Sequence, residues 1–384
     1  ISLSDYDWVE FVTPNFEVHS QRSKILETFN RPYISSPSDL ADMIDIYIRD
    51  WPHWLAGWEG PGISQNPDLR AFAEAHGLTI PILDTVKHMN ADRPHCTLAV
   101  PRCAGTSGNP YDALWFFDPI YLGDLHELGH GLEFRSRHHF EGGNATHSTT
   151  NMYSHHTNNR YYSETGNSNF QWCGDLPHEA LYDIVQASQS SSDPGQYMRD
   201  TDLTSSGEQQ AMFVQLFAAL ENQGVLDDGW QMMPRLNLVT REFQSANNDE
   251  KWADKADGLG FGGMDRTTAF SLSQNDWLLI ALSWSAQRDL REYLEMWGYI
   301  YSDDTLDHVA GLNLPALDPA YYAIGSTGHC FGFDHDELPI DGHTSWPSST
   351  AFSKVAAFTP DYLRFAGHEH DEMCSFGEPL STSN

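Results

Sequence analysis

The chain has 384 residues, 40% hydrophobic and 12% aromatic, enough to bury a large core in two or three lobes. Its 54 acidic side chains outnumber 21 basic ones, for a formal net charge of −33, which argues against nucleic acid as a partner because phosphate would be repelled. No apolar run of about 18 residues occurs, so no membrane-spanning helix is expected.

Residues 8–12 read as a strand and residues 20–29 as a helix. A second helix is expected over 38–51, stopped by Pro52. A third, over 68–76, ends at Gly77. Residues 97–120 look like strands with a turn at 106–110, and 113–117 read as a buried strand. Then Leu122, Leu125, Leu128 and Leu132 recur at spacings of three and four, which a helix with one buried face requires. A polar stretch, 135–146, leads into another helix. Helices follow at 176–188, 208–223, 234–246, 276–284 and 287–297. From about 303 the chain is rich in Pro, Gly and Asp and reads as loops and short strands. No internal repeat is visible.

The helix with the leucine spacing contains His126-Glu127-Leu128-Gly129-His130, an H-E-x-x-H pattern. Residues four apart share a helix face, so both imidazoles can point at one metal ion. Glu127, beside them, is placed to take a proton from water. Neutral nitrogen ligands, a carboxylate base and an open coordination position are what zinc-assisted hydrolysis needs. Gly129 and Gly131 each weaken a helix by about 1 kcal/mol relative to alanine. A glycine there is reasonable only where something packs closely against the backbone.

A tetrahedral catalytic zinc takes a third protein ligand. The H-E-x-x-H-x-x-G-x-x-H form fails, because Glu133 and Ser136 stand at its last two fixed positions. The candidates downstream are Glu141, His147 and Glu164. Asn151, four residues after His147, shares its helix face and is expected to orient a ligand or to cap local backbone.

Thr150-Asn-Met-Tyr-Ser154, with Ser107-Gly-Asn-Pro110 upstream and the stretch from Asp276 to Gly298 downstream, resembles the enhancin-like, mucin-degrading zinc proteases. Among these the chain is most similar to the bacterial immunomodulating metalloproteases that cleave O-glycosylated proteins. In that family a glutamate on the helix after the H-E-x-x-H supplies the third ligand. The matching position here is His147, a departure from the usual carboxylate, although histidine is a competent zinc ligand.

Elements and resemblance together imply an α+β fold with a zincin-like catalytic domain at 1–302. Its N-terminal lobe, with a small mixed sheet, runs to about 140, and a mainly helical lobe covers about 141–302. The tail, 303–384, is expected to pack on this domain. The implied function is a secreted, zinc-dependent endopeptidase cutting next to O-glycosylated Ser or Thr in mucin-type glycoproteins. Glu127 is its base and His126, His130 and His147 hold Zn2+. Asn109, Trp115, Asn151 and Tyr153 are the expected substrate-binding residues, with Trp172 and Trp230 as further sugar platforms. Tyr153, Tyr161, His155 and His156 are candidates to stabilise the oxyanion. The rival readings are a general zinc protease or aminopeptidase indifferent to glycan, and a glycan-binding module with an inactive zinc site.

The chain starts at Ile1 with no secretory leader in view. A mature piece of a larger extracellular protein, acting as a monomer, is the expectation. Five cysteines, Cys96, Cys103, Cys173, Cys330 and Cys374, show no C-x-x-C spacing. They are expected to bind no metal, and Cys96 with Cys103 is the expected local disulfide. The acidic clusters at 334–337 and 368–372 are read as solvated surface.

Overall fold

Alternation builds the first sheet. β1 (Trp8–Val12) and β2 (Phe16–Gln21) pair antiparallel, and β2 buries Phe16, Val18 and Ser20 while the residues between them are half-buried. β3 (Lys87–Asn90) joins β2 in parallel, so the three-stranded sheet is mixed, as expected. The computed structural model describes residues 6, 8–85, 87–90, 116–132, 140–141, 147–168, 173–201 and 203–347.

Helix α1 (Arg22–Thr28) follows β2 directly. The helix expected to stop at Pro52 does not stop there. α2 (Pro37–Met43) continues through a π-helical segment, Ile44–Asp50, into α3 (Trp51–Leu55). The Trp51 N–H reaches back five residues to the Ile46 carbonyl. Pro52 therefore falls where the hydrogen-bond register is changing, in the first turn of α3, where its missing N–H is tolerated. α4 (Pro67–Ala75) is capped by the Asn66 side chain, and Gly77 beyond it takes a φ of 64°.

Next in order come α5 (Leu122–Leu132), α6 (His147–Thr165), α7 (His178–Gln189), α8 (Pro194–Arg199), α9 (Ser206–Asn222) and α10 (Met232–Ser245). They are followed by α11 (Asp249–Lys255), α12 (Arg266–Ser271), α13 (Gln274–Ala286), α14 (Arg291–Glu295) and α15 (Asp303–Gly311). Ser205 and Glu208 form a reciprocal capping box at the start of α9. The continuous helix expected over 287–297 is broken. Gln287 is left-handed (φ 54°) and ends α13, leaving only the short α14. The Asp-rich start of the tail is a helix rather than a loop: Ser302 caps α15, and Asp303 and Asp304 favour its positive end. The short strands of the tail are β4 (Tyr321–Tyr322) and β5 (Glu337–Leu338), paired antiparallel. Of the strand expected at 113–117, residues 113–115 lie outside the described residues. Phe116 and Phe117 are not in a strand, although Phe117 is fully buried.

The core lies between α6, α9, α10 and α13. α9 buries residues all round, including Phe213, Phe217 and Leu220, and α13 buries Trp277 through Leu282. Residues 1–348 make one compact unit. The stretch after 303 shares its core: Tyr321 packs against Trp297 and Tyr182. The acidic stretch 334–337 leads into β5, while 368–372 lies outside the described residues. Among the described residues no helix is long and apolar enough to cross a membrane.

Candidate metal centre

A polar loop sets the entry to α5. The Asp118 N–H donates to Asp124 Oδ2 (2.9 Å), fixing the first turn. Asp118 is itself buried, pairs with Arg31 (3.1 Å) and accepts from Tyr33 Oη (2.5 Å). Further along, α5 lies directly against α6 at Gly129. A Cβ on Gly129 would stand 2.8 Å from the Thr150 carbonyl oxygen and 2.9 Å from Tyr153 Cδ2. The close backbone packing that this glycine called for is therefore present, and the partner is α6.

This packing brings three imidazoles together. His126 and His130, one turn apart on α5, place their Nε2 atoms 3.0 Å from each other. His147, the first residue of α6, has its ring centroid 5.1 Å from that of His126 and 5.4 Å from that of His130. One ligand nitrogen from each lies within 4.8 Å of the other two. Tetrahedral zinc with bonds of about 2.0–2.1 Å spaces its nitrogens roughly 3.3 Å apart, close to the 3.0 Å between the two α5 imidazoles. His126 Nδ1 donates to Asn151 Oδ1 (2.6 Å), which leaves the Nε2 lone pair facing the other two rings. One helix thus carries both the third imidazole and the group that orients the first.

Glu127 is fully buried, and neither of its carboxylate oxygens has a hydrogen-bond partner among the described residues. Burial pushes its carboxyl up to about 7, with His130 pulling the other way. A buried, unpartnered carboxylate is costly unless something polar is bound beside it. An ion held by three neutral imidazoles, with its water, is such a partner. The donor set and the orphaned carboxylate therefore fit a catalytic zinc.

The other candidate ligands are held elsewhere. Glu141 Oε1 accepts from the Gln274 N–H (3.2 Å), and the Glu141 N–H donates to Asn275 Oδ1 (2.9 Å), which ties it to the start of α13. Glu164, near the far end of α6, accepts from Tyr47 Oη (2.9 Å) and Trp51 Nε1 (2.8 Å). Asn151, expected among the substrate-binding residues, instead holds His126. Tyr153 is fully buried against the α5 backbone and is not offered to a substrate. Trp230 is buried against His156, Phe217 and Phe333, so it is no sugar platform. His156 stacks on Trp54, His155 donates to Gln210, and Tyr161 Oη accepts from Asn167, so these three serve packing and hydrogen bonding away from the imidazole trio. Asn109, Trp115 and Trp172 lie outside the described residues, as do Cys96 and Cys103. The disulfide that the structure describes is Cys173–Cys330, which sequence reasoning missed because 157 residues separate the two.

The mixed sheet, the His–Glu–His helix and the following helix with its histidine are the α+β arrangement expected of a zincin-like fold. No family model matches the chain. The particular likeness is to the immunomodulating metalloprotease of Pseudomonas aeruginosa, 27% identical over 342 residues, covering 84% of this chain and 35% of the relative. The structure of that organism's IMPa metallopeptidase superposes with a TM-score of 0.71 at 24% identity, covering 89% of this chain and 39% of the other. Its complexes with T-antigen and with an O-glycopeptide each give a TM-score of 0.70 at 23% identity over the same shares. The resemblance read from the motifs is thus borne out. The chain spans about a third of the length of this relative.

Proposed function

We propose that the chain is the catalytic part of a zinc-dependent endopeptidase that cuts peptide bonds next to O-glycosylated Ser or Thr. The observation that carries the hydrolytic reading is Glu127, buried and unpartnered beside three converging histidines. The glycan requirement is supported by the relative's complexes with T-antigen and with an O-glycopeptide. The high acidity and the absence of a basic groove-forming composition agree with a neutral, glycosylated substrate. The Cys173–Cys330 bond supports an oxidising, extracellular setting. In this reading the protein works as a monomer.

His126, His130 and His147 would hold the zinc, with Asn151 keeping His126 in the required tautomer. The ion, when bound, supplies Lewis-acid polarisation of the scissile carbonyl and makes nearby water more acidic. Glu127 takes the proton of the attacking water on a carboxylate oxygen and delivers it to the leaving amine. Burial raises its carboxyl, and the charge of a bound ion would pull it back toward the carboxylate form that accepts the proton.

The test is a pair of peptides identical except for a GalNAc on one threonine, incubated with the chain and with Glu127→Ala. Cleavage of the glycosylated peptide alone, lost in the variant, is expected. Equal cleavage of both would leave a zinc peptidase indifferent to glycan. Cleavage that survives in Glu127→Ala would refute the assigned base.

A further inference from the structure

A second group of metal-ligating side chains lies outside the imidazole trio. His155, Cys173, His329 and Cys330 are all buried, and one ligand atom from each lies within 4.8 Å of the other three. They come from separate places in the sequence. His155 is in the middle of α6, eight residues and roughly 12 Å along the helix from His147. Cys173 precedes α7, and His329 and Cys330 sit in the short 3-10 turn Gly328–Cys330. Cys173 and Cys330 are disulfide-bonded, with their Cα atoms 6.1 Å apart.

The two imidazoles are set up as ligands. His155 Nε2 donates to Gln210 Oε1 (2.9 Å), so its Nδ1 carries the lone pair. That Nδ1 lies 3.1 Å from His329 Nε2, which in turn lies 3.4 Å from Cys173 Sγ. His329 Nδ1 is buried and has no hydrogen-bond partner among the described residues, so none of these fixes its tautomer on that side. Burial holds both rings neutral, the state in which imidazole binds a metal. In a tetrahedral zinc site, Zn–N bonds of about 2.0 Å and Zn–S bonds of about 2.3 Å space nitrogens roughly 3.3 Å apart and nitrogen from sulfur roughly 3.6 Å apart. The observed separations are close to both.

We propose that, once the Cys173–Cys330 bond is reduced, its two sulfurs together with His155 and His329 form a closed Cys2His2 zinc site. The disulfide and the ion are then alternative links between the segment before α7 and the C-terminal segment, and the ion, through His155, also takes in α6. The reductant is a dithiol. It gives two electrons to the S–S bond, becomes a disulfide itself, and leaves two cysteine thiols. Zinc displaces both thiol protons to solvent and binds two thiolates and two neutral imidazoles, so the loaded site is uncharged overall. Four protein ligands leave no open position, which makes the site structural rather than catalytic. Because the sulfurs take part only when reduced, the chain exchanges its covalent link for a coordinate one in a reducing setting and keeps Cys173 tied to Cys330 in both.

Cobalt(II) is the probe, added to the full chain with and without prior reduction. The trio on α5 and α6 has no sulfur, so the part of the near-ultraviolet thiolate-to-cobalt charge-transfer band that Cys173→Ser with Cys330→Ser abolishes, while Cys96, Cys103 and Cys374 remain, reports this site. The readout is therefore independent of the proposed peptidase activity. We expect the band, and one further equivalent of cobalt, only after reduction. His155→Gln and His329→Gln should each weaken cobalt binding at this site at least tenfold. In urea, the reduced chain should unfold at higher denaturant with zinc than without, also when the trio is disabled by His126→Ala. Absence of the charge-transfer band in reduced, folded protein would overturn the proposal. So would a band unaffected by both histidine variants, or a reduced chain that unfolds alike with and without zinc.

Discussion

Replacing Gly129 by alanine sets two effects of known size against each other. Helix propensity favours alanine by about 1 kcal/mol. The new methyl, however, would lie 2.8 Å from the Thr150 carbonyl oxygen, 2.9 Å from Tyr153 Cδ2 and 3.1 Å from Thr150 Cγ2. The first of these atoms is backbone and the second belongs to a fully buried ring, so neither can swing aside. Overpacking of this kind costs about 1–3 kcal/mol, and two immovable neighbours place it at the upper end. The net expectation for Gly129→Ala is a loss of about 1–2 kcal/mol. It should appear in urea unfolding of the metal-free protein as a lower midpoint with an unchanged slope. The relief available is for α5 and α6 to move apart, and these two helices carry all three imidazoles of the trio. Zinc affinity, measured by chelator competition, should therefore fall in the same variant. A variant that is stabilised by about 1 kcal/mol and binds zinc as before would show propensity winning, and would refute close packing as the reason for the glycine.

Asn151→Ala removes the acceptor that holds His126 Nδ1 and should weaken zinc binding about 10–100-fold in chelator competition, whereas Asn151→Asp should retain most of it. Cys173→Ser with Cys330→Ser opens a loop of 157 residues; chain entropy alone assigns that link about 5 kcal/mol, to be read from urea unfolding in oxidising, metal-free buffer. Burial lowers the His155 pKa from 6.5 to about 4. The unfolded chain then binds a proton that the folded chain refuses, so this residue's contribution is intact above about pH 6.5 and is lost as pH falls toward 4. At about 1.4 kcal/mol per pH unit, the stability profile of His155→Gln should be flatter than wild type by about 3 kcal/mol across that window, and parallel profiles would contradict the assignment.

The local part of the centre was legible in the sequence. An i, i+4 histidine pair, an adjacent glutamate and a glycine with no local reason to be there act through spacing, which is written in the chain, whereas spacing left Glu141, His147 and Glu164 open as the third ligand and the resemblance pointed to His147. Helix α5 was legible for the same reason, because its leucines recur at spacings of three and four. What failed was decided by neighbours distant in sequence or by backbone detail. Pro52 reads as a stop until a π-helical turn absorbs its missing N–H. Gln287 has no glycine's freedom, yet it adopts a left-handed φ and cuts the helix expected across it. Tyr153 and Trp230 look like binding groups until tertiary packing buries them. The cysteine pair gave no signal, because its partners are brought together only when the C-terminal segment docks on α6.

That docking has a consequence for the order in which the protein can be made. The three imidazoles lie between residues 126 and 147, so they emerge from the ribosome almost together. The helix that carries His147 gains its support later. α9 covers it only after residue 222, and His329 packs against its His155 more than a hundred residues later still. A nascent chain therefore holds the three histidines well before it holds them in place, and the centre becomes rigid only once the segment around residue 330 has emerged.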